Sequence, residues 1–119
     1  RNDPRMNLST FVASRFPINA PIISSNMDTV TEANMAIAMH KNGCFGILHR
    51  FYSTDEDFIV DVNRVIENTG SIGFSVGLKP NVKLIEKVMS IAGNRPVLIC
   101  VDVAHGHLKG VTDAIRMLK

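Results

Sequence analysis

Net charge, cysteine and long apolar runs are all scarce in this sequence, and each shortage argues against a class of protein. Thirteen basic and eleven acidic residues leave a formal charge of +2. No Lys/Arg run and no interleaving of basic with aromatic residues occurs, which argues against a nucleic-acid partner. The two cysteines, Cys44 and Cys100, sit inside the apolar runs CFGIL and VLICV. Buried, reduced thiols fit that placement better than a disulfide and favour a cytoplasmic setting. No apolar run approaches the roughly 20 residues that span a bilayer, and no signal peptide is recognisable, so no membrane partner is expected.

What is present is a globular composition, 45% hydrophobic and 20% charged, able to bury a core. The 119 residues make one ordinary domain or a piece of a larger one. The chain opens on Arg1 rather than Met, which reads as a fragment or a processed start.

Short β-branched apolar runs recur near 20–24 (APIIS), 44–49 (CFGILH), 71–76 (SIGFSV) and 96–103 (PVLICVDV). Their starts lie about 25 residues apart, the pitch of a βα unit rather than of a hairpin sheet. Near-continuous apolarity predicts parallel strands covered on both faces. Helical patterns fill the gaps. Thr29 and Glu32 form a candidate capping box before TEANMAIAMHK, and Ser53 with Glu56 repeats it. Phe58, Ile59, Val62, Val65 and Ile66 then trace an apolar stripe that closes on Gly70. Pro80-Asn81 opens a third helix, and His107 the last. Met35, Met39 and Met89 fall at helical spacing and read as core filler. Residues 1–19, polar and twice interrupted by proline, read as an irregular segment.

Four successive βα units allow a doubly wound open sheet or half of a (βα)8 barrel. The first reading needs a G-x-G-x-x-G turn after the first strand, where this chain has SSNMDT. A complete barrel needs about 250 residues, so residues 20–119 match its N-terminal half. The polar residues fall at the carboxyl ends of all four strands: Ser24 to Asp28, His49-Arg50, Gly77 to Lys79 and Asp102 to His107. In parallel α/β architecture those ends share one face, where ligands bind.

Asp102 at a strand end is well placed to accept hydrogen bonds from ribose hydroxyls. Ala104 and Gly106 are small enough to let the backbone approach a flat ring. His105 and His107 alone make a poor metal pair, since zinc needs at least three protein ligands, and no metal is expected.

The stretch PIISSNMDTVTEANMAIAMHKNGCFGILHR, followed by VDVAHGH, resembles the IMP dehydrogenase/GMP reductase family, from about residue 16 onward. That resemblance implies a (βα)8 barrel, tetrameric when full length, holding a purine nucleoside monophosphate against a nicotinamide dinucleotide. It places Ser25 and Met27 in the nucleotide pocket, with Met27 against the purine, where a polarizable thioether suits an aromatic face. Asn26 serves either the turn or the ligand. Asp102, Val103 and Ala104 face the nicotinamide end, with His105 as a loop donor nearby. Arg50 approaches the cofactor and the reacting purine, where a cation can hold developing negative charge. The competing reading of Arg50 is a surface ion pair with Asp55 or Glu56, and His49 reads as a satisfied core or lip histidine.

The same resemblance implies a cysteine nucleophile on a loop beyond Lys119, so no catalytic residue is expected within the chain. A monovalent-cation site also falls outside it. Between the two activities, the single helix at 51–70 and Val103 after Asp102 favour GMP reductase with NADPH. IMP dehydrogenase with NAD is the alternative, and a non-catalytic nucleotide-binding barrel fragment is the reading from another class.

Overall fold

The computed structural model describes residues 6–118. The first five positions of the expected irregular segment, and Lys119, lie outside them. The rest of that segment is more ordered than its prolines imply. Two short antiparallel strands, β1 (Thr10–Phe11) and β2 (Pro17–Ile18), form a hairpin. The reason is the alternation Phe16-Pro17-Ile18, which sends two apolar side chains to one face and leaves Pro17 exposed.

The four predicted strands are present, the first two shorter than expected: β3 (Ile23–Ser24), β4 (Phe45–Gly46), β5 (Ile72–Val76) and β6 (Val97–Val101). β3 pairs in parallel with β4, and β5 with β6. A parallel bridge between Leu48 and Phe74 carries the ladder from β4 to β5. The strands thus lie side by side in chain order, joined by α1 (Ala33–Lys41), α2 (Asp55–Thr69) and α3 (Val82–Ala92), with α4 (Lys109–Leu118) after β6.

The sheet has two differently dressed faces. Leu48, Ile72, Phe74 and Val76 meet Ala33 and Ala36 of α1, Phe58, Val62, Val65 and Ile66 of α2, and Val88 and Ala92 of α3. On the other face Phe45 and Ile47 pack with Phe16 and Ile18 of the hairpin, and Leu98 and Cys100 lean on them. Two glycines make the tight layers possible. A Cβ at Gly46 would sit 2.8 Å from the Ala36 Cα, and one at Gly73 would sit 2.5 Å from the Phe45 ring.

That close approach overturns one expectation. With β4 pressed on the alanines of α1, methionine has no place there, and Met35 is exposed while Met39 is half-buried. On α3 the buried positions are Val88 and Ala92, one turn apart, which leaves Met89 around the side and exposed.

The helix starts also shift. α2 is capped by Thr54, not Ser53, its hydroxyl accepting from Asp57 N at 3.1 Å. Asn81 caps α3 as expected, accepting from Leu84 N at 3.2 Å. α4 begins at Lys109, two residues past His107. The Thr29–Glu32 capping box does not form: Glu32 is the N-cap residue of α1 and makes no side-chain cap bond. Its carboxylate is taken by His49, and the Ala33 amide donates instead to Asp61 Oδ2 of α2, at 3.2 Å.

Candidate functional site

The polar residues singled out at the strand ends fall into two groups. After β3 the chain turns tightly, with the Val30 and Thr31 amides both donating to the Met27 carbonyl, at 2.9 and 3.0 Å. The buried Thr31 hydroxyl donates to the Ser25 carbonyl at 2.6 Å and lies 2.8 Å from Ser24 Oγ. This frame leaves Ser25 exposed, Asn26 half-buried, and Met27 with 53% of its surface open.

The second group joins the ends of β4 and β6 across the intervening β5. Arg50 Nε donates to Asp102 Oδ2 at 3.1 Å, although the two residues are 52 apart in sequence. Asp102 is itself fixed by its amide, which donates to the Val76 carbonyl at 2.8 Å. The guanidinium lies 4.4 Å above the Phe51 ring and borders Gly77. The ion-pair partner of Arg50 is therefore neither Asp55 nor Glu56 but the acidic residue already expected to face a cofactor. Val103 next to it is half-buried, whereas Ala104 and His105 are exposed. Among the described residues, no hydrogen bond or ion pair links the side chains of Ser25, Asn26 or Met27 to the Arg50–Asp102 pair.

Beneath Arg50 lies a polar cluster that sequence spacing does not reveal. His49 is 1% exposed. Its Nε2 lies 2.9 Å from Glu32 Oε1, and its Nδ1 accepts from the Phe51 amide at 3.0 Å. The ring stacks flat on Tyr52, with centroids 4.3 Å apart. The Tyr52 hydroxyl donates to Asp61 Oδ2 at 2.7 Å. Burial, then the Asp61 hydrogen bond and the Asp61 and Glu32 charges, push the Tyr52 phenol well above its ordinary range. His49 is thus a satisfied core histidine, as one of its two readings held. Tyr52 follows His49 by three residues outside any helix, whereas Glu32 and Asp61 lie far from it in sequence, so only the fold brings the four together.

A cavity of about 380 Å³ opens beside Arg50, between the starts of α2 and α3, over Phe58, Phe74 and Ile85. Neither cysteine is prepared for nucleophilic attack. Cys44 precedes β4, at the opposite end from Arg50, and the Cys100 thiol is pushed up by burial and by Asp102, which keeps it protonated. His105 and His107 meet edge to face at 5.6 Å, and among the described residues no three His, Cys, Asp or Glu side chains converge. No helix among them is long and apolar enough to cross a membrane.

Parallel strands in chain order with helices on one face define an α/β protein, and the charged pair stands at the strand ends where such folds bind ligands. Comparison with known proteins makes the class specific. The family model described as "IMP dehydrogenase / GMP reductase domain" matches residues 2–119, and the chain belongs to that family. A GMP reductase of Ligilactobacillus salivarius is 34% identical over 100 residues, which cover 83% of this chain and 30% of that protein. A GMP reductase of Exiguobacterium sp. is 32% identical over 118 residues, covering 98% and 34% of the two chains. The crystal structure of inosine 5′-monophosphate dehydrogenase from Legionella pneumophila superposes with a TM-score of 0.78 at 35% identity. That match covers 98% of this chain and 35% of the other. The chain spans about a third of the length of the curated relatives it matches.

Proposed function

We propose that this chain is the N-terminal half of a (βα)8 barrel in a purine nucleotide oxidoreductase of the GMP reductase type. The observation that carries the reading is the Arg50–Asp102 pair, set at the carboxyl ends of parallel strands in a chain whose relatives include GMP reductases. Strands in chain order with helices on one face suit a closing barrel better than a doubly wound sheet, which is helical on both faces.

The residues present fit a nicotinamide dinucleotide. Asp102 uses Oδ2 toward Arg50, which leaves Oδ1 for a ribose hydroxyl. Gly106 has nothing within 4 Å of a Cβ position, so a flat ring can lie close to the backbone there. NADPH, when bound, supplies the hydride that reduces GMP to IMP with loss of ammonia. Arg50 holds the Asp102 carboxylate in place and contributes positive charge beside the reacting purine. Val103, Ala104 and His105 contact the nicotinamide end. Met27 lies against the base, with Ser25 and Asn26 beside it. The cysteine that attacks the purine and the monovalent-cation site lie outside residues 1–119, in an enzyme that is cytoplasmic and tetrameric.

A second reading, NAD-dependent oxidation of IMP, is favoured by the likeness to the Legionella dehydrogenase. Against it stand the single helix α2 between β4 and β5 and the aliphatic Val103. A fragment that binds nucleotide without chemistry is the third. Assaying the protein from its complete reading frame with GMP plus NADPH, and separately with IMP plus NAD, separates all three. Turnover with the first pair alone is the expected result.

A further inference from the structure

Two ends of the His49 ring are used, and they do different work. Nδ1 accepts from the Phe51 amide at 3.0 Å, so it carries no proton there. The proton sits on Nε2, which donates to Glu32 Oε1 at 2.9 Å. Phe51 is the residue that follows Arg50, and its ring lies under the guanidinium at 4.4 Å. The imidazole therefore fixes the backbone turn from which both Arg50 and its aromatic platform project. Behind it, the stacked Tyr52 is tied to Asp61, and Asp61 to the first turn of α1. An arginine has much rotamer freedom to lose, and Arg50 is 39% exposed. Without the turn and platform, its bond to Asp102 is an ordinary surface ion pair of small worth.

We propose that His49 is a positioning residue: acting through the Phe51 amide, it aims Arg50 at Asp102 and so presets the carboxylate that receives the dinucleotide. The inference rests on the dinucleotide reading above, and it deepens that reading by naming the group that orients its carboxylate. His49 touches no ligand.

Two substitutions separate the two ends of the ring. His49→Asn places a carbonyl oxygen near the Nδ1 position and keeps an acceptor for the Phe51 amide. His49→Gln places an amide near the Nε2 position and keeps only the link to Glu32. In the enzyme from its complete reading frame, His49→Gln should raise the dinucleotide KM about tenfold, the loss of one well-made hydrogen bond, with the nucleotide KM unchanged. His49→Asn should stay within about threefold of wild type, since it loses the more exposed contact. Equal dinucleotide KM values for the two variants, or an equal shift in the nucleotide KM, overturn the inference and leave His49 a packing residue.

If the wild-type enzyme turns over neither substrate pair, the proposed function fails, and the positioning claim is read by NMR. The Arg50 Nε–H resonance should keep its wild-type position in His49→Asn and move in His49→Gln to the position seen in Asp102→Ala. The same position in both variants overturns the claim. If a variant does not fold, the imidazole nitrogens of the wild-type protein decide: the Nε2–H tautomer supports the inference and the Nδ1–H tautomer overturns it.

Discussion

The block built from α1, β4, α2 and β5 and the unit built from β6 and α4 obey the same βα rule, yet only the first is closed. Leu48, Val62, Ile72 and Phe74 in the block are sealed from solvent. Every residue of β6 is half-buried instead, and Leu108 just before α4 and Ile115 and Met117 within it are exposed. The difference lies in what covers each strand. β5 has neighbours on both sides and two helices behind it, whereas β6 has β5 on one side and α4 as its sequel. The Arg50–Asp102 bond crosses the border between them. Its arginine stands on the closed block and its aspartate on the open unit.

Truncating the closed core gives the largest effect expected. Phe74 is 2% exposed and packs edge to face on Phe58, so Phe74→Ala should lower unfolding free energy by about 3–5 kcal/mol. Leu98→Ala on β6 should cost less than the roughly 2 kcal/mol at the low end for a buried leucine. Denaturant titration measures both, and equal losses erase the contrast.

Much of that contrast was legible in the residues themselves. The stripe from Phe58 to Ile66 and the run SIGFSV predict a buried helix over a buried strand, and both formed there. The α3 cap at Asn81 and the glycine closing α2 also followed from local chemistry. The methionines misled because helical spacing reports a face without reporting how close the sheet comes. Only Gly46 against Ala36 shows that α1 has no room for them. The capping box failed for a related reason. A distant partner, His49, outcompeted the local backbone for the Glu32 carboxylate.

The polar cluster inside the block sets the next effect. Tyr52→Phe removes the donor to Asp61 and should cost about 0.5–1.5 kcal/mol, since Asp61 keeps the Ala33 amide. The sign with pH follows from the raised phenol. Its protonated form is favoured in the fold, so its contribution is whole below the ordinary value of 10.0 and is lost as pH climbs above it. Wild-type stability should therefore fall more steeply above pH 10 than that of Tyr52→Phe. Parallel pH profiles of the two proteins contradict the assignment.

At the border itself, stability should respond little and binding much. Asp102→Ala breaks a partly exposed ion pair, a loss of roughly 0.2–1 kcal/mol to the fold. Under the proposed function, in which Asp102 accepts from the ribose, the same change in the protein from its complete reading frame should cost dinucleotide binding or turnover roughly 1.5–3 kcal/mol. Unchanged kinetics with NADPH remove Asp102 from the site. A fold loss as large as that of Phe74→Ala makes it a structural residue.

The smallest effect on the fold is expected at Met27, and there the comparison is sharpest. The family resemblance makes Met27 a wall of the nucleotide pocket. In the fold its carbonyl serves the turn, accepting from the Val30 and Thr31 amides, while 53% of the residue's surface stays open. Those backbone bonds survive truncation of the side chain. Met27→Ala should therefore change unfolding free energy by no more than about 0.5 kcal/mol, the range of a surface substitution. A thioether that covers a purine gives up its contacts only when the purine is bound. The melting shift produced by a saturating purine nucleoside monophosphate should accordingly shrink in Met27→Ala, while the melt of the free protein stays put. A free-protein loss near the 2–5 kcal/mol of a buried methionine truncation makes Met27 a packing residue, and an undiminished ligand shift removes it from the pocket.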